Sequence, residues 1–254
     1  MTEQIYFEGS KNYFTYYANS TKQLPLVVIV PGGGYDHTSK REAKNVADFF
    51  MPLGFHAVVI NYREELNEYP DPQKELAFVI DYFRNNEKKY NLNGKILNIG
   101  FSAGSHLVLS QAIYHYEYGN NSLPDGLILC YPVISSDKLF SHSGSFKYLL
   151  GNKISDELLD KLSLEKHVTD ELPDVFMWHT FTDESVNILN SIKLLEQFKL
   201  HNINTEYHVF PKGSHGMSLA DDSMTVGGKN LKDDYINHWT NFLKDWLKFK
   251  EWIK

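Results

Sequence analysis

The stretch Gly100-Phe101-Ser102-Ala103-Gly104 constrains the fold more than any other part of the chain. It reads G-x-S-x-G. A short apolar run, Lys95-Ile96-Leu97-Asn98-Ile99, precedes it, and a helix-like segment, Ser105 to Ala112, follows. A strand, a sharp turn and a helix in that order hold a serine on a strained corner, with its hydroxyl exposed at the top of a sheet. The flanking glycines remove Cβ atoms that would collide in so tight a turn. The pattern alone is weak, with about one chance match per ten chains of this length, so the weight rests on its setting.

That setting is an alternation of strand-like and helix-like segments, the sign of a parallel sheet with crossover helices. Leu26-Val27-Val28-Ile29-Val30 and Ala57-Val58-Val59-Ile60 are continuous apolar runs and read as strands buried on both faces. Leu127 to Tyr131, Val175 to Trp178 and Glu206 to Phe210 are further strands. Gln4–Glu8 and Tyr13–Tyr17 add antiparallel edge strands.

Helices are expected from Glu42 to Met51 and from Asp71, with Asp71 as N-cap and Pro72 in the first turn. Leu76, Val79, Ile80 and Phe83 supply the apolar stripe of the second. Val186 to Leu200 is a third, with Ile188, Ile192, Leu195 and Phe198 facing inward. A C-terminal helix from about Asp233 packs Ile236, Trp239, Leu243, Trp246 and Leu247 on the sheet.

Residues 134–172 break the alternation. Ser141 to Ser145 reads as loop and Asp156 to Leu162 as a short amphipathic helix, so this region is a small cap-like insertion and not a second domain. The expectation is one α/β domain over residues 1–254, with a mostly parallel sheet of about eight strands flanked by helices.

Bulk properties exclude several functions. Hydrophobic content of 42% and charged content of 22% are those of a globular chain. A formal charge of −7 gives no basic footprint, so nucleic acid is not an expected partner. No apolar run is long enough to span a membrane, and the first residues carry no secretory pattern. Cys130 is the only cysteine, which fits the cytoplasm. No His or Cys cluster has zinc spacing, and Gly32-Gly33-Gly34 is not a dinucleotide loop, so neither metal nor cofactor is expected. The expected partner is a small-molecule ester, and a homo-oligomer stays open.

A serine hydroxyl is a poor nucleophile at neutral pH and needs a base, which in turn needs an orienting acid. In this arrangement the chain order is serine, acid, histidine. Among 11 histidines, His215 stands in a Gly-flanked loop after the last strand, where site residues of open α/β sheets collect. His37 and His106 come too early, as does His179 relative to the acid. His208 lies within a strand and His238 on the C-terminal helix.

The acid is Asp183, in the loop after Val175 to Trp178. Glu184 is its neighbouring rival, Asp174 sits at the wrong end of the strand, and the plainer role for Asp183 is a helix cap. Pro31-Gly32-Gly33-Gly34-Tyr35 follows a buried strand and can point N–H groups into a cavity. With the N–H of Ala103, such donors bind a developing oxyanion.

Taken together, the chain resembles α/β-hydrolase esterases of the acetylesterase, or acetyl-xylan-esterase-like, branch. The resemblance is carried by Pro31-Gly32-Gly33-Gly34-Tyr35, Asn61-Tyr62-Arg63, Gly100 to Leu107, Tyr148-Leu149-Leu150-Gly151, Leu162-Ser163-Leu164-Glu165, Trp178-His179-Thr180, Asp183 and Gly213-Ser214-His215-Gly216. It implies an α/β-hydrolase fold and a serine esterase removing short acyl groups, often acetyl, from carbohydrates or other small alcohols. It also implies Ser102, Asp183 and His215 as the triad, with Gly33, Gly34 and Ala103 as oxyanion donors.

Two positions depart from the pattern: Pro31 stands where related hydrolases carry the histidine of H-G-G-G, and Asn187 stands where D-x-x-V-P has proline. Tyr35, Phe101 and the insertion are expected to line the acyl pocket, where bulky aromatics favour short acyl groups. A serine peptidase related to prolyl oligopeptidase and a non-catalytic ligand-binding hydrolase fold are the rival readings.

Overall fold

The computed structural model describes residues 2–119, 121–226 and 229–254. Eight strands form one sheet: β1 (Thr2–Tyr6), β2 (Tyr13–Tyr17), β3 (Leu24–Val30), β4 (His56–Asn61), β5 (Leu92–Phe101), β6 (Gly126–Cys130), β7 (Val175–Thr180) and β8 (Thr205–Phe210). Their spatial order is β1-β2-β4-β3-β5-β6-β7-β8. Strands β3 to β8 pair in parallel, and β2 runs antiparallel to both β1 and β4. This is the expected mostly parallel sheet of an α/β-hydrolase.

The helices are α1 (Lys44–Phe50), α2 (Asp71–Asn85), α3 (Glu87–Tyr90), α4 (Ala103–Ile113), α5 (His115–Tyr118), α6 (Ser143–Leu150), α7 (Asp156–Lys161), α8 (Leu189–Leu200), α9 (Asp234–Asn237) and α10 (Trp239–Phe249). Alternation along each strand divides the core into two layers. Val27, Ile29, Ala57, Val59, Leu97 and Ile99 pack against α1 and α10; Leu26, Val28, Val30, Val58 and Ile60 pack against α2 and α4.

The chain leaves β3 for β4 on one side and returns to β5 on the other. The loops after β3 and β5 therefore diverge and leave a crevice at the C-terminal ends of the strands, where open α/β sheets bind ligands. Pro31–Tyr35 follows β3 and Ser102 follows β5, so the fold brings these two segments together.

The insertion between β6 and β7 is pinned to the body by buried hydrogen bonds. Nε2 of His106 donates to the Leu162 carbonyl at 3.0 Å, so its Nδ1 must accept from the Tyr35 hydroxyl at 2.9 Å. Burial pushes His106 down to about 4, which keeps this bridge neutral. Oδ1 of Asn190 accepts from the N–H groups of Ile134 and Ser135, both at 3.0 Å.

Several local expectations need correction. Asp71 is the first residue of α2 and makes no side-chain cap; Pro70 stands at the cap. Ser143 to Ser145 begin α6, so the expected loop there is helical after His142. Glu42 lies in a 3-10 turn ahead of α1 and is buried. Helix α8 starts at Leu189, and Ile192 is exposed. Its inward face is Asn190, Ser191, Leu194 and Phe198, rotated from the apolar reading because Asn190 and Ser191 have buried hydrogen-bond partners.

Candidate active site

Ser102 occupies the corner between β5 and α4 with φ 55° and ψ −119°, a conformation that costs a non-glycine residue about 1–3 kcal/mol and that surrounding structure must enforce. The enforcement is visible. The Ser102 N–H donates to the Cys130 carbonyl at 2.9 Å, and the Ser102 carbonyl accepts from Val133 at 3.2 Å. The flanking glycines are required by space. A Cβ on Gly100 would lie 2.5 Å from the Gly104 carbonyl oxygen, and one on Gly104 would lie 2.6 Å from that of Pro31.

His215, from the loop after β8, brings Nε2 to 2.8 Å from the Ser102 hydroxyl and Nδ1 to 2.6 Å from Oδ2 of Asp183. A carboxylate can only accept, so Nδ1 carries the proton and Nε2 is left to accept from the serine. The Tyr131 ring meets the imidazole at 73° with centroids 5.1 Å apart, which limits its rotation.

Asp183 divides its two oxygens. Oδ1 accepts from the N–H groups of Ser185 and Val186, both at 2.9 Å, so the aspartate also caps its own turn. Oδ2 faces His215 and also lies 3.2 Å from Nε2 of His179. That nitrogen also faces the Val186 carbonyl at 3.0 Å, so it must carry the proton; Nδ1 then accepts from Ser191 at 2.6 Å. Burial alone would raise the Asp183 carboxyl, but hydrogen bonds from His179 and His215 outweigh it and hold the group well below the usual carboxylate range. The rivals are elsewhere: Glu184 is exposed and Asp174 pairs with Lys250 at 2.7 Å.

The glycine loop lies against this corner. The N–H of Gly32 is taken by Oε2 of Glu42 at 2.9 Å. Those of Gly33, Gly34 and Ala103 have no acceptor among the described residues. Gly33, at φ 118°, is packed so closely under the His37 carbonyl that no side chain fits there. A cleft of about 810 Å³ opens over Ser102 and His215, lined also by Gly33, Gly34 and, from the insertion, by His142 and Tyr148. This is within the roughly 300–1,000 Å³ range of small-molecule sites.

Tyr35 and Phe101 are not part of that lining. Phe101 ends β5 pointing into the α1/α10 layer, where it meets Tyr131 at 6.0 Å, and is fully buried. Tyr35 is also fully buried, drawn inward by its bond to His106 and its contact with Tyr62.

Sequence reasoning set His179 aside because it precedes the acid, yet it stands near the end of β7, and the turn Thr180–Asp183 folds the aspartate back onto it. It also missed Glu42 and Tyr131. Oε1 of Glu42 accepts from the Tyr131 hydroxyl at 2.7 Å, and that hydroxyl accepts from the Ser218 N–H at 3.0 Å. The network joins the glycine loop, the exit of β6 and the segment after His215. No motif of adjacent residues signals it.

Among the described residues no group of histidine, cysteine, aspartate and glutamate is placed to hold a metal ion. No described helix is long and apolar enough to cross a membrane.

Comparison with known proteins agrees with this architecture. The BD-FAE family model matches residues 14–123. The acetyl ester-xyloside bifunctional hydrolase of Caldicellulosiruptor lactoaceticus is 31% identical, with a TM-score of 0.87 over 99% of this chain and 97% of that one. The carboxylesterase Cest-2923 of Lactobacillus plantarum is 25% identical, with a TM-score of 0.86 over 100% of this chain and 99% of that one. Endo-1,4-beta-xylanase B of Butyrivibrio fibrisolvens is 34% identical over 229 residues, or 85% of this chain; the chain spans only 36% of that relative's length. With 31% identity across nearly the whole of both chains, the chain belongs to the BD-FAE family of α/β-hydrolases.

Proposed function

We propose that the chain is a serine esterase that hydrolyses short-chain acyl esters, chiefly acetyl, of carbohydrates or other small alcohols through an acyl-enzyme. The observation that carries this reading is the unbroken relay from the Ser102 hydroxyl through His215 to Asp183, at 2.8 and 2.6 Å.

In this mechanism the Ser102 oxygen attacks the ester carbonyl while Nε2 of His215 takes its proton. The carbonyl oxygen becomes an oxyanion and is met by the N–H groups of Gly33, Gly34 and Ala103; losing one such donor typically costs about 10²–10³ in rate. Asp183 stabilises the imidazolium and fixes its tautomer without taking the proton. The tetrahedral intermediate then collapses, the carbon–oxygen bond to the alcohol breaks, and His215 gives that oxygen its proton. Water, deprotonated by the same imidazole, attacks the acyl-enzyme and releases the carboxylic acid. No cofactor is needed. The sole thiol, Cys130, is buried and free, and this reading places the enzyme in the cytoplasm.

The preference for short acyl groups is drawn from the insertion, whose His142 and Tyr148 line the cleft that holds the serine. Hydrolysis of p-nitrophenyl esters of increasing chain length tests it: activity is expected to be highest at acetate, and a maximum with octanoate or longer acids overturns it. Ser102→Ala, folded by circular dichroism, is expected to lose p-nitrophenyl acetate hydrolysis. Retained turnover rejects the nucleophile.

A further inference from the structure

Arg41 lines the same cleft as Ser102 and His215 but takes no part in the relay. It lies in the 3-10 turn Lys40–Glu42. Its guanidinium rests on the backbone of Gly216, the residue after His215, so closely that a Cβ there would collide with Nη2. Nε is buried without a hydrogen-bond partner, and among the described residues no carboxylate pairs with the group.

The two carboxylates that line the cleft face other partners. Glu42 spends both oxygens on Gly32 and Tyr131, and Asp36 faces His37 at 3.3 Å. A half-buried guanidinium is a fixed fork of donors that stays charged, and leaving its donors unmade is costly. Its natural complement is a carboxylate held by two parallel hydrogen bonds.

The position of Arg41 identifies which part of a substrate it meets. His215 protonates the departing alcohol, so the alcohol lies against the imidazole and the residues that follow it. Arg41 stands on Gly216, on that side. We infer that Arg41 recognises a carboxylate on the alcohol moiety, and that preferred substrates are acyl esters of hydroxy acids, of which a uronic acid sugar is the carbohydrate form. The inference rests on the esterase reading and deepens it. The chain's net charge of −7 disfavours anions at long range, so any preference for one must be local.

The test compares kcat/KM for a mono-acetylated methyl glucuronoside as its free acid and as its carboxamide, in the wild type, Arg41→Gln and Arg41→Lys. The wild type is expected to prefer the acid by about ten-fold or more, as hydrogen bonds to charged groups allow. Arg41→Gln abolishes the preference and Arg41→Lys keeps part of it. Equal rates on acid and amide in the wild type, or a preference that survives Arg41→Gln, overturn the inference.

p-Nitrophenyl acetate turnover in the same preparations reports on the esterase reading separately. Calorimetric binding of methyl glucuronoside by the wild type needs neither variant nor turnover. Tighter binding than methyl glucoside, weakening with added salt, supports Arg41 as an anion site. Equal binding of the two overturns it.

Discussion

His179 and His215 converge on one oxygen, Oδ2 of Asp183, at 3.2 and 2.6 Å. One imidazole is fully buried and held by Ser191 and the Val186 carbonyl; the other is partly open to the cleft. The buried one is placed to act as a positioning residue, fixing the carboxylate that orients the one facing the cleft. His179→Phe is expected to lower kcat by about 10²-fold, the scale of a misplaced catalytic group, with KM little changed. His179→Gln keeps a donor near Nε2 and is expected to recover much of the loss. Equal losses in both variants, or a loss confined to KM, would contradict the positioning role.

Asp183→Asn is expected to cost about 10³–10⁴ in kcat, because the amide favours the wrong imidazole tautomer, whereas exposed Glu184→Gln leaves kcat near the wild-type value. The reverse pattern moves the acid to Glu184. Stability follows the same carboxylate. Its folded value lies below the unfolded one, so its contribution is fully present above the ordinary carboxyl value of about 3.9 and is lost as pH falls below that toward the folded value. Urea unfolding of the wild type should lose stability on acidification through that window more steeply than Asp183→Asn does.

Glu75 shifts the opposite way. Burial in α2 raises it to about 7, against the opposing hydrogen bond from Asn12. With the folded value above the unfolded one, its contribution is fully present below about pH 4 and disappears as pH rises through about 7. Glu75→Gln keeps an acceptor for Asn12, which reaches the carboxylate at 3.0 Å. The variant should therefore lack a loss, on the order of 2–3 kcal/mol, that the wild type shows in urea unfolding between about pH 5 and about pH 8.5. Parallel curves for the two proteins would refute this assignment.

The parts of the fold and site legible in the sequence are those encoded by neighbours. β3 and β4 are signalled by continuous β-branched runs, and the Ser102 corner by two glycines whose absent side chains make room for carbonyls. Ser102, Asp183 and His215 were legible because each follows a strand, and strand ends of a parallel sheet share one rim.

What escaped depends on partners distant in sequence. Phe101 was assigned to the pocket, but strand alternation turns it toward Tyr131, and Tyr35 is drawn inward by His106, which in turn bonds Leu162. Ile192 follows an apolar period that α8 does not obey, because Asn190 and Ser191 are held inward by hydrogen bonds from other elements. The union of Glu42 with Tyr131 spans 89 positions and has no local signature.

In the proposed reaction the Ser102 oxygen becomes acylated during turnover. Acid-quenching the enzyme while it hydrolyses p-nitrophenyl acetate, followed by peptide mapping, reads this directly. A single acetyl group is expected on Ser102, absent before substrate is added and absent from Ser102→Ala. Full turnover with Ser102 unmodified, or acetyl found on another residue whose removal abolishes activity, contradicts it.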